Sequence, residues 1–275
     1  MATRVKARRS KLRSTTRPPL SRAVPRATGV RNPIRVIYLY GISRAAPEGM
    51  DAGEGVDGSA PVEALKSSGM VCWISRVSRA EFADRLSENM ENLEWLASAG
   101  VRHQRVVSTI AAATDVVPAR FGTVFLSDAG LHDDIQSRKG ALAKTLERIA
   151  GTEEWGVKVF AGDRPRVAAV TAKSGKEYLQ GKAKLLQPRM ARVLDAEVQS
   201  LARELRRGSL DSAMTGKVSG GQRGLEWQAS FLVRRNRRKQ FHNVLKRFAS
   251  RWRDSRRIEC TGPWPPYSFV SSDGR

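Results

Sequence analysis

The segment Ile34-Arg35-Val36-Ile37-Tyr38-Leu39-Tyr40-Gly41-Ile42 is rich in β-branched and aromatic residues, and a polar, glycine-rich loop follows it. This composition predicts the first β-strand of the chain. The same criteria predict strands over residues 71–77 and 154–160. Residues 115–125 are expected to form a strand or a bulged edge, because Pro118 excludes a helix through that point.

Three helices are predicted between these strands. Ser78-Arg79-Ala80-Glu81 has the form of a capping box, so a helix is expected to begin near Ser78 and to end at Gly100. A second helix is expected over residues 101–113, and a third over residues 128–150, capped by its first residue, Asp128. The order β–β–α–α–β–α–β predicts an α+β sandwich with helices on one face of a mainly antiparallel sheet.

The second half of the chain begins with a long helical pattern over residues 175–207, which Pro188 is expected to kink or divide. Its apolar stripe either packs on its own domain or forms a seam for a partner. Residues 208–224 predict a flexible loop. A strand, a helix and a closing strand are then predicted over residues 227–233, 237–251 and 257–261. This arrangement predicts a second α+β domain that is a variation on a ferredoxin-like sandwich.

These elements predict four regions. They are a disordered basic leader (1–33), an N-terminal α+β domain (34–165), a C-terminal α+β domain with a long helix (166–261) and an extended tail rich in proline and aromatic residues (262–275).

The composition excludes several classes of protein. The chain has 275 residues, 49 of them Lys or Arg and 27 Asp or Glu, for a formal net charge of +22. No segment approaches the roughly 20 consecutive apolar residues of a membrane helix. Cys72 and Cys260 lie too far apart in the sequence for a disulfide framework or a zinc knuckle, which fits a reducing, cytoplasmic setting.

The positive charge is confined to two segments. Residues 1–35 carry eleven bases and no acid, and residues 231–257 carry eleven bases against one Asp, or +11 and +10. Residues 36–230 carry 26 bases and 24 acids, or only +2. The leader has too few apolar residues to fold alone. It could be an arm that binds anions, an organellar transit peptide or a solvated tail.

The second basic segment could bind a nucleic acid through residues 234–239 and neighbouring aromatic rings. However, Phe241, Leu245 and Phe248 have the spacing of a core stripe, which would make such rings unavailable. The bases would then form a solvated helix face or a docking site for an acidic protein.

The tail over residues 262–270 is expected to run extended or as polyproline II, because its prolines exclude a helix. It presents Trp264, Tyr267 and Phe269. These rings either seal a groove between the two domains or bind a partner.

No catalytic, cofactor or metal site is predicted. The glycines at 53–58 lie too far past a strand for nucleotide binding, and Gly175-Lys176 lacks the rest of a phosphate loop. Cys72 is expected to be a buried, inert thiol, and His132 with its two following aspartates part of a capping turn. Glu153 and Glu154 are expected to point to opposite faces of a strand.

Five segments, found in order between Ile34 and Val270, carry a resemblance to the gas vesicle protein F and L family. They are Tyr38-Leu39-Tyr40-Gly41-Ile42 and residues 117–125 (VPARFGTVF), 154–159 (EWGVKV), 174–179 (SGKEYL) and 260–269 (CTGPWPPYSF). The last is the most specific. The basic leader and the glycine-rich residues 220–224 depart from the family pattern.

The resemblance implies a two-domain, non-enzymatic assembly protein of the cytoplasm, acting as a minor component or accessory factor of the vesicle shell. It implies binding to the hydrophobic major shell protein and to other accessory vesicle proteins, without a cofactor or a membrane. Nucleic-acid binding through residues 1–35 and 234–257 is the competing hypothesis. The candidate partner-binding residues are Arg120, Phe121, Trp264, Tyr267, Phe269, Arg234 and Arg235.

Overall fold

The structure, a computed structural model, describes residues 34–162, 196–214, 222–253 and 255–270. The predicted leader, the first part of the predicted long helix with Pro188, and residues 271–275 of the tail lie outside these described residues.

The first sheet contains five antiparallel strands. They are β1 (Arg35–Ser43), β2 (Glu63–Ser67), β3 (Met70–Ser78), β4 (Val116–Pro118) and β5 (Val124–Phe125). Strand β1 is central: it pairs with β3 along one edge and with β4 and β5 along the other. The predicted strand at residues 115–125 is therefore two short strands, and Gly122, with φ of 81°, lies in the turn between them.

Strand β2 is an element that the sequence did not predict. It is a short edge strand, joined to β3 by a two-residue turn at Ser68-Gly69, where φ is positive at both residues (52° and 78°). Such turns match the twist of a hairpin. The strand carries no apolar run, because only one of its faces and one of its edges are covered.

Helices cover both faces of the first sheet, so the prediction that they cover one face is wrong. These helices are α1 (Leu86–Glu91), α2 (Leu93–Ala113) and α3 (Asp128–Ile149). Val36, Tyr38 and Tyr40 pack in one cluster with α2. Ile37, Leu39 and Ile42 pack in another with α3. Successive side chains of a strand point to opposite faces, and β1 is apolar on both, so each face needs a covering layer.

The predicted limits of the helices also need correction. Ser78 ends β3, and a π-helical turn at Ala80–Asp84 and the short helix α1 follow it. Helix α2 begins after Asn92, whose Oδ1 accepts hydrogen bonds from the backbone N–H groups of Glu94 and Trp95, each at 3.1 Å. Gly100 lies inside α2, since one interior glycine costs only about 1 kcal/mol. Ser127, rather than Asp128, caps α3.

The break at Asn92 changes which side chains are buried. On one continuous helix Phe82, Met90 and Leu93 would share an inner face, but of these only Phe82 is buried. Farther along, Met90 is 44% exposed and Leu93 is 80% exposed. Apolar residues at helical spacing share one face only while the helix is continuous, and here the helix is interrupted at Asn92.

The second sheet contains four antiparallel strands in the order β7-β8-β6-β9. They are β6 (Thr152–Ala161), β7 (Asp211–Ala213), β8 (Leu225–Arg234) and β9 (Arg256–Trp264). Strand β7 lies where a loop was predicted. Helices α4 (Ala196–Gly208) and α5 (Arg238–Arg251) cover one face. The buried residues Phe241, Leu245 and Phe248 of α5 confirm the predicted core stripe.

A β-bulge in β1 sets the register of the first sheet. Leu39 pairs with Ile74 and Gly41 with Trp73, so Tyr40 is an extra residue on β1. Gly41 lies directly against β4: a Cβ there would be 2.7 Å from Cγ2 of Val116 and 2.9 Å from the carbonyl oxygen of Val117. Only glycine fits this close approach.

Gly41→Ala is expected to destabilise the protein by about 2 kcal/mol, because the new methyl group overpacks the β1–β4 contact. Gly140→Ala is the matched control. Gly140 lies within α3 with open space around its Cα, so alanine there should stabilise by about 0.5–1 kcal/mol. Urea unfolding measures both changes, and equal free energies of unfolding for the two variants would contradict this role of Gly41.

Candidate functional site

The C-terminal tail is extended only in its first part. Strand β9 continues to Trp264, and residues Tyr267–Phe269 then form a 3₁₀ turn. The N–H of Tyr267 donates to the carbonyl of Pro265 at 2.8 Å, and that of Phe269 to the carbonyl of Pro266 at 3.1 Å. The prediction of an extended or polyproline II tail is therefore wrong beyond Trp264, where these local hydrogen bonds tighten the chain.

Tyr267 attaches the tail to helix α2 through His103. The Tyr267 hydroxyl lies 3.0 Å from Nε2 of His103, and the Tyr38 hydroxyl of β1 lies 3.0 Å from Nδ1. The Tyr38 hydroxyl also accepts a hydrogen bond from the N–H of Gly122 at 3.0 Å. A neutral imidazole satisfies both tyrosines, because it donates through one nitrogen and accepts through the other. His103 therefore joins the tail to the centre of the first sheet.

Ser268 and Phe269 attach the tail to the second sheet and to the shared core. Glu154 of β6 is buried, and its carboxylate accepts hydrogen bonds from the N–H of Ser268 at 2.9 Å and from its hydroxyl at 2.6 Å. Phe269 is buried in the cluster that contains residues of β1, β3 and α3 together with Leu232 of β8. Its carbonyl accepts a hydrogen bond from Arg148. Residues 267–269 thus contact both sheets.

Trp264 lies at a cleft that is lined by residues of both halves of the chain and by the tail. The cleft has a volume of about 270 Å³, and Trp264 is 41% exposed. The first half of the chain contributes the C-terminal end of α2 and the start of β4, and the second half contributes the start of α5 and the tail. Its lining residues include Ala111, Ala112, Thr114, Asp115, Val116, Glu153, Arg235, Arg238, Pro263, Pro265 and Pro266.

The charged side chains of the cleft pair with each other. Arg235 contacts Asp115 at 2.9 Å, and Nε of Arg238 donates to Glu153 at 2.7 Å. The indole N–H of Trp155 also donates to Glu153, at 2.8 Å. Glu153 thus faces α5, while its neighbour Glu154 binds the tail, as expected for successive residues of a strand.

The structure brings together four of the predicted partner-binding residues. Trp264 and Arg235 line the cleft, and Tyr267 and Phe269 hold the tail beside it. Arg234 is exposed at the end of β8, outside the lining. Arg120 and Phe121 lie elsewhere.

Arg120 is exposed, and the Phe121 ring packs edge-on against Trp95 and His103, with centroid distances of 6.1 and 5.6 Å. Neither His103 nor the tail-binding role of Glu154 was predicted from the sequence. Their partners Tyr267 and Ser268 are 164 and 114 residues away in the chain, so no local pattern indicates these contacts.

Five of the eleven bases in the second basic segment form internal ion pairs. Apart from Arg235 and Arg238, Arg247 pairs with Glu204, Arg256 with Glu226, and Arg257 with Glu259. The aromatic residues near this segment are each less than 5% exposed; they are Trp227, Phe231, Phe241 and Trp252. They are not available to stack on bases, as the core stripe predicted.

The glycine-rich loop is committed to internal hydrogen bonds. The N–H of Gly55 donates to the carbonyl of Ala60 at 2.7 Å, and the N–H of Val56 donates to the hydroxyl of Tyr40 at 2.7 Å. A Cβ at Gly55 would lie 2.3 Å from Oγ of Ser75, so the close packing at this position requires a glycine. A phosphate site needs free amide N–H groups instead.

Two other residues considered as possible sites, Cys72 and His132, lie in structural positions. Burial raises the pKa of the Cys72 thiol to about 11, which keeps it protonated and unreactive. Nδ1 of His132 lies 3.1 Å from the hydroxyl of Ser67, so this histidine joins α3 to β2. Among the described residues, no three His, Cys, Asp or Glu side chains form a group that could hold a metal ion. None of the described helices is long and apolar enough to cross a bilayer.

Burial lowers the pKa of His103 to about 4, against about 6.5 for an unfolded histidine. Between these values the unfolded chain binds a proton that the folded chain excludes, so the free energy of unfolding falls as the pH drops below 6.5. We expect a loss of roughly 2 kcal/mol between pH 7 and pH 5 from this residue. Urea unfolding of the wild type and of His103→Gln at both pH values isolates its contribution.

His242→Gln is the control for this measurement. His242 is less buried than His103, so its removal should leave most of the pH dependence intact. A wild type and a His103→Gln variant that lose the same stability between pH 7 and pH 5 would contradict the assignment.

Comparison with known proteins agrees with the tail and strand motifs. Residues 36–271 match the family described as "Gas vesicle synthesis protein GvpL/GvpF". The chain is 29% identical over 251 residues to gas vesicle protein L of Streptomyces sp. (strain CB03234), covering 86% of this chain and 93% of that protein. It is 24% identical over 234 residues to gas vesicle protein F1 of Halobacterium salinarum, covering 85% and 92%.

The fold is similar to two crystal structures of gas vesicle protein GvpF. The one from Anabaena sp. PCC7120 has a TM-score of 0.67 and 18% identity, and covers 87% of this chain and 98% of that chain. The one from Microcystis aeruginosa has a TM-score of 0.63 and 19% identity, and covers 86% and 99%. Both support the α+β fold with two antiparallel sheets. The family match extends over most of the chain, and the chain therefore belongs to the GvpL/GvpF family of gas vesicle synthesis proteins, which implies a role in gas vesicle formation.

Proposed function

We propose that this chain is a non-catalytic assembly protein of the cytoplasm that binds the hydrophobic major shell protein and other accessory proteins during gas vesicle formation. Membership of the GvpL/GvpF family supports the process. The exposed Trp264, held at a cleft between elements of both halves of the chain, is the observation that supports the binding site.

The anchoring of the tail makes Trp264 suited to binding. Its backbone pairs with Glu154 in the second sheet, and residues 267–269 fix the chain after it. Its indole N–H lies 3.2 Å from the hydroxyl of Thr261. An aromatic ring that is rigid before binding loses little conformational entropy when it is covered, and tryptophan is enriched among residues that dominate binding energy.

The chemistry of the cleft fits binding better than catalysis. Asp115 and Glu153 each pair with an arginine, so the opposite charges of the cleft are matched to each other. No histidine, cysteine or lysine is among the residues that line the cleft. Alanine, valine, proline and tryptophan supply its apolar surface.

A shell that excludes water needs subunits with an exposed apolar face, and such faces aggregate unless another protein covers them. The cleft offers an apolar wall and a fixed aromatic ring for a side chain of such a face. Covering one subunit at a time would keep it available for addition to a growing shell.

The competing hypothesis of nucleic-acid binding has less support from the structure. Five of the eleven bases of residues 234–257 form ion pairs with acids, and the neighbouring aromatic rings are buried. Residues 1–33 lie outside the described part of the chain. An affinity for nucleic acid that falls steeply with added salt would support this alternative.

We also propose that the second sheet is a variation on a ferredoxin-like sandwich. The strand order β7-β8-β6-β9, with two helices on one face, supports this comparison. The boundaries at residues 34–165 and 166–261 remain our proposed division of the chain, although α3, β8 and the tail share one apolar cluster.

Trp264→Ser is expected to reduce capture of the co-expressed major shell protein about tenfold or more in a pull-down, because it removes the fixed ring at the cleft. Leu126→Ser is the matched control, since Leu126 is 64% exposed but does not line the cleft. Its capture should equal that of the wild type. Absence of capture by the wild type at low salt, or equal capture by both variants, would contradict the proposal.

A further inference from the structure

A second exposed apolar surface lies on the first half of the chain. We name it the α1–α2 patch: its exposed members are Met90 and Leu93, and its half-buried members are Leu86, Trp95 and Phe121. Leu86 Cδ2 and Met90 Sδ lie 3.7 and 4.0 Å from the position that a Cβ on Gly122 would take. Phe121 precedes this glycine and packs against Trp95. None of these residues lines the cleft at Trp264, which we call the tail cleft.

The α1–α2 patch rests on a fixed base. The indole N–H of Trp95 donates to Glu81 at 2.8 Å, and its ring centroid lies 5.5 Å from that of the buried Phe82. Asn92 fixes the start of α2 beside it. Met90 and Leu93 nevertheless stay 44% and 80% exposed. Burial of such side chains by a partner is favourable, because it removes apolar area from water.

The helical part of the α1–α2 patch lies in an acidic segment, and the exposed Arg120 is the base that precedes Phe121. Residues 81–94 contain five acids and a single base, whereas the whole chain carries +22. Glu88, Glu91 and Glu94 are exposed, and none of them forms an ion pair with another described residue. A partner that covers the patch therefore gains most if it places cations around an apolar centre.

The charge also indicates which partners do not fit. Nucleic acids and anionic membranes would be repelled by these carboxylates. A second copy of this chain offers bases on α5, but Phe241, Leu245 and Phe248 of that helix are buried. Helix α4 likewise buries its apolar residues. Neither α4 nor α5 therefore offers an exposed apolar face with flanking bases.

We propose that the α1–α2 patch binds an amphipathic helix of another protein, with apolar residues along one face and Lys or Arg at its borders. The patch is built from helices and not from a free strand edge, so side chains at helical spacing, rather than an added strand, match it. This surface is additional to the tail cleft, and the proposal does not depend on binding of the shell protein.

The test uses the full chain and a fluorescent synthetic peptide of about 18 residues, or five helical turns, made of Leu and Lys in an amphipathic pattern. A peptide with Glu in place of Lys is the charge control. We expect the Leu–Lys peptide to bind in an anisotropy titration and the Leu–Glu peptide not to bind. Added salt should weaken the complex, because exposed charges contribute to it.

Two variants assign the binding to the patch. Met90→Ser with Leu93→Ser should weaken it about tenfold or more, because two apolar contacts are lost. Leu210→Ser with Met214→Ser is the matched control. This pair is also one Leu and one Met, which are 44% and 60% exposed, and it lies on the second half of the chain. It should bind like the wild type. Replacing Glu88, Glu91 and Glu94 by Gln should remove most of the salt dependence.

Several results would overturn the proposal. Equal affinity of both double variants for the Leu–Lys peptide, or equal affinity of the wild type for both peptides, would show that the patch does not select such a helix. A sedimentation experiment in which Met90→Ser with Leu93→Ser dissociates a dimer of the wild type would show that a second copy occupies the patch instead.

Discussion

The structure depends on the short tail segment, residues 267–269, that contacts both sheets. Tyr267 contacts His103 of the first half, Ser268 binds the buried carboxylate of Glu154 in β6, and Phe269 completes an apolar cluster with residues of both sheets. A buried carboxylate or imidazole is costly without a partner, and the tail supplies these partners. Residues 267–269 therefore contribute to the core and not only to the surface.

The fixed position of residues 267–269 explains how the proline-rich tail can also present a binding residue. The same contacts that hold Tyr267 and bury Phe269 leave Trp264 exposed at the cleft, so stability and the proposed binding site arise from one segment. The α1–α2 patch has a different origin, because the helix break at Asn92 turns Met90 and Leu93 outward. The two proposed surfaces share no residues and carry different charge. They are therefore suited to different partners.

The pattern of apolar residues in the sequence predicted most of the long helices and strands but missed the short strands. Strands β1, β3, β6 and β8 and helices α3 and α5 have strong apolar patterns and were found close to their observed limits. Strands β2 and β7 are short edges whose formation depends on pairing with a neighbour, and Gly100 does not end a helix that tertiary packing supports. The aromatic tail was found from its composition. His103 and Glu154 were not, since their roles depend on residues far away in the chain.

Hydrogen exchange under native conditions tests directly whether the tail couples the two sheets. In the wild type, slowly exchanging amides of β1 and β6 should share one opening free energy. Phe269→Ala should lower it by about 3–4 kcal/mol and separate the values for the two sheets, because the shared cluster loses its central ring. If β1 and β6 keep a common, unchanged opening free energy in Phe269→Ala, the tail does not hold the two sheets together.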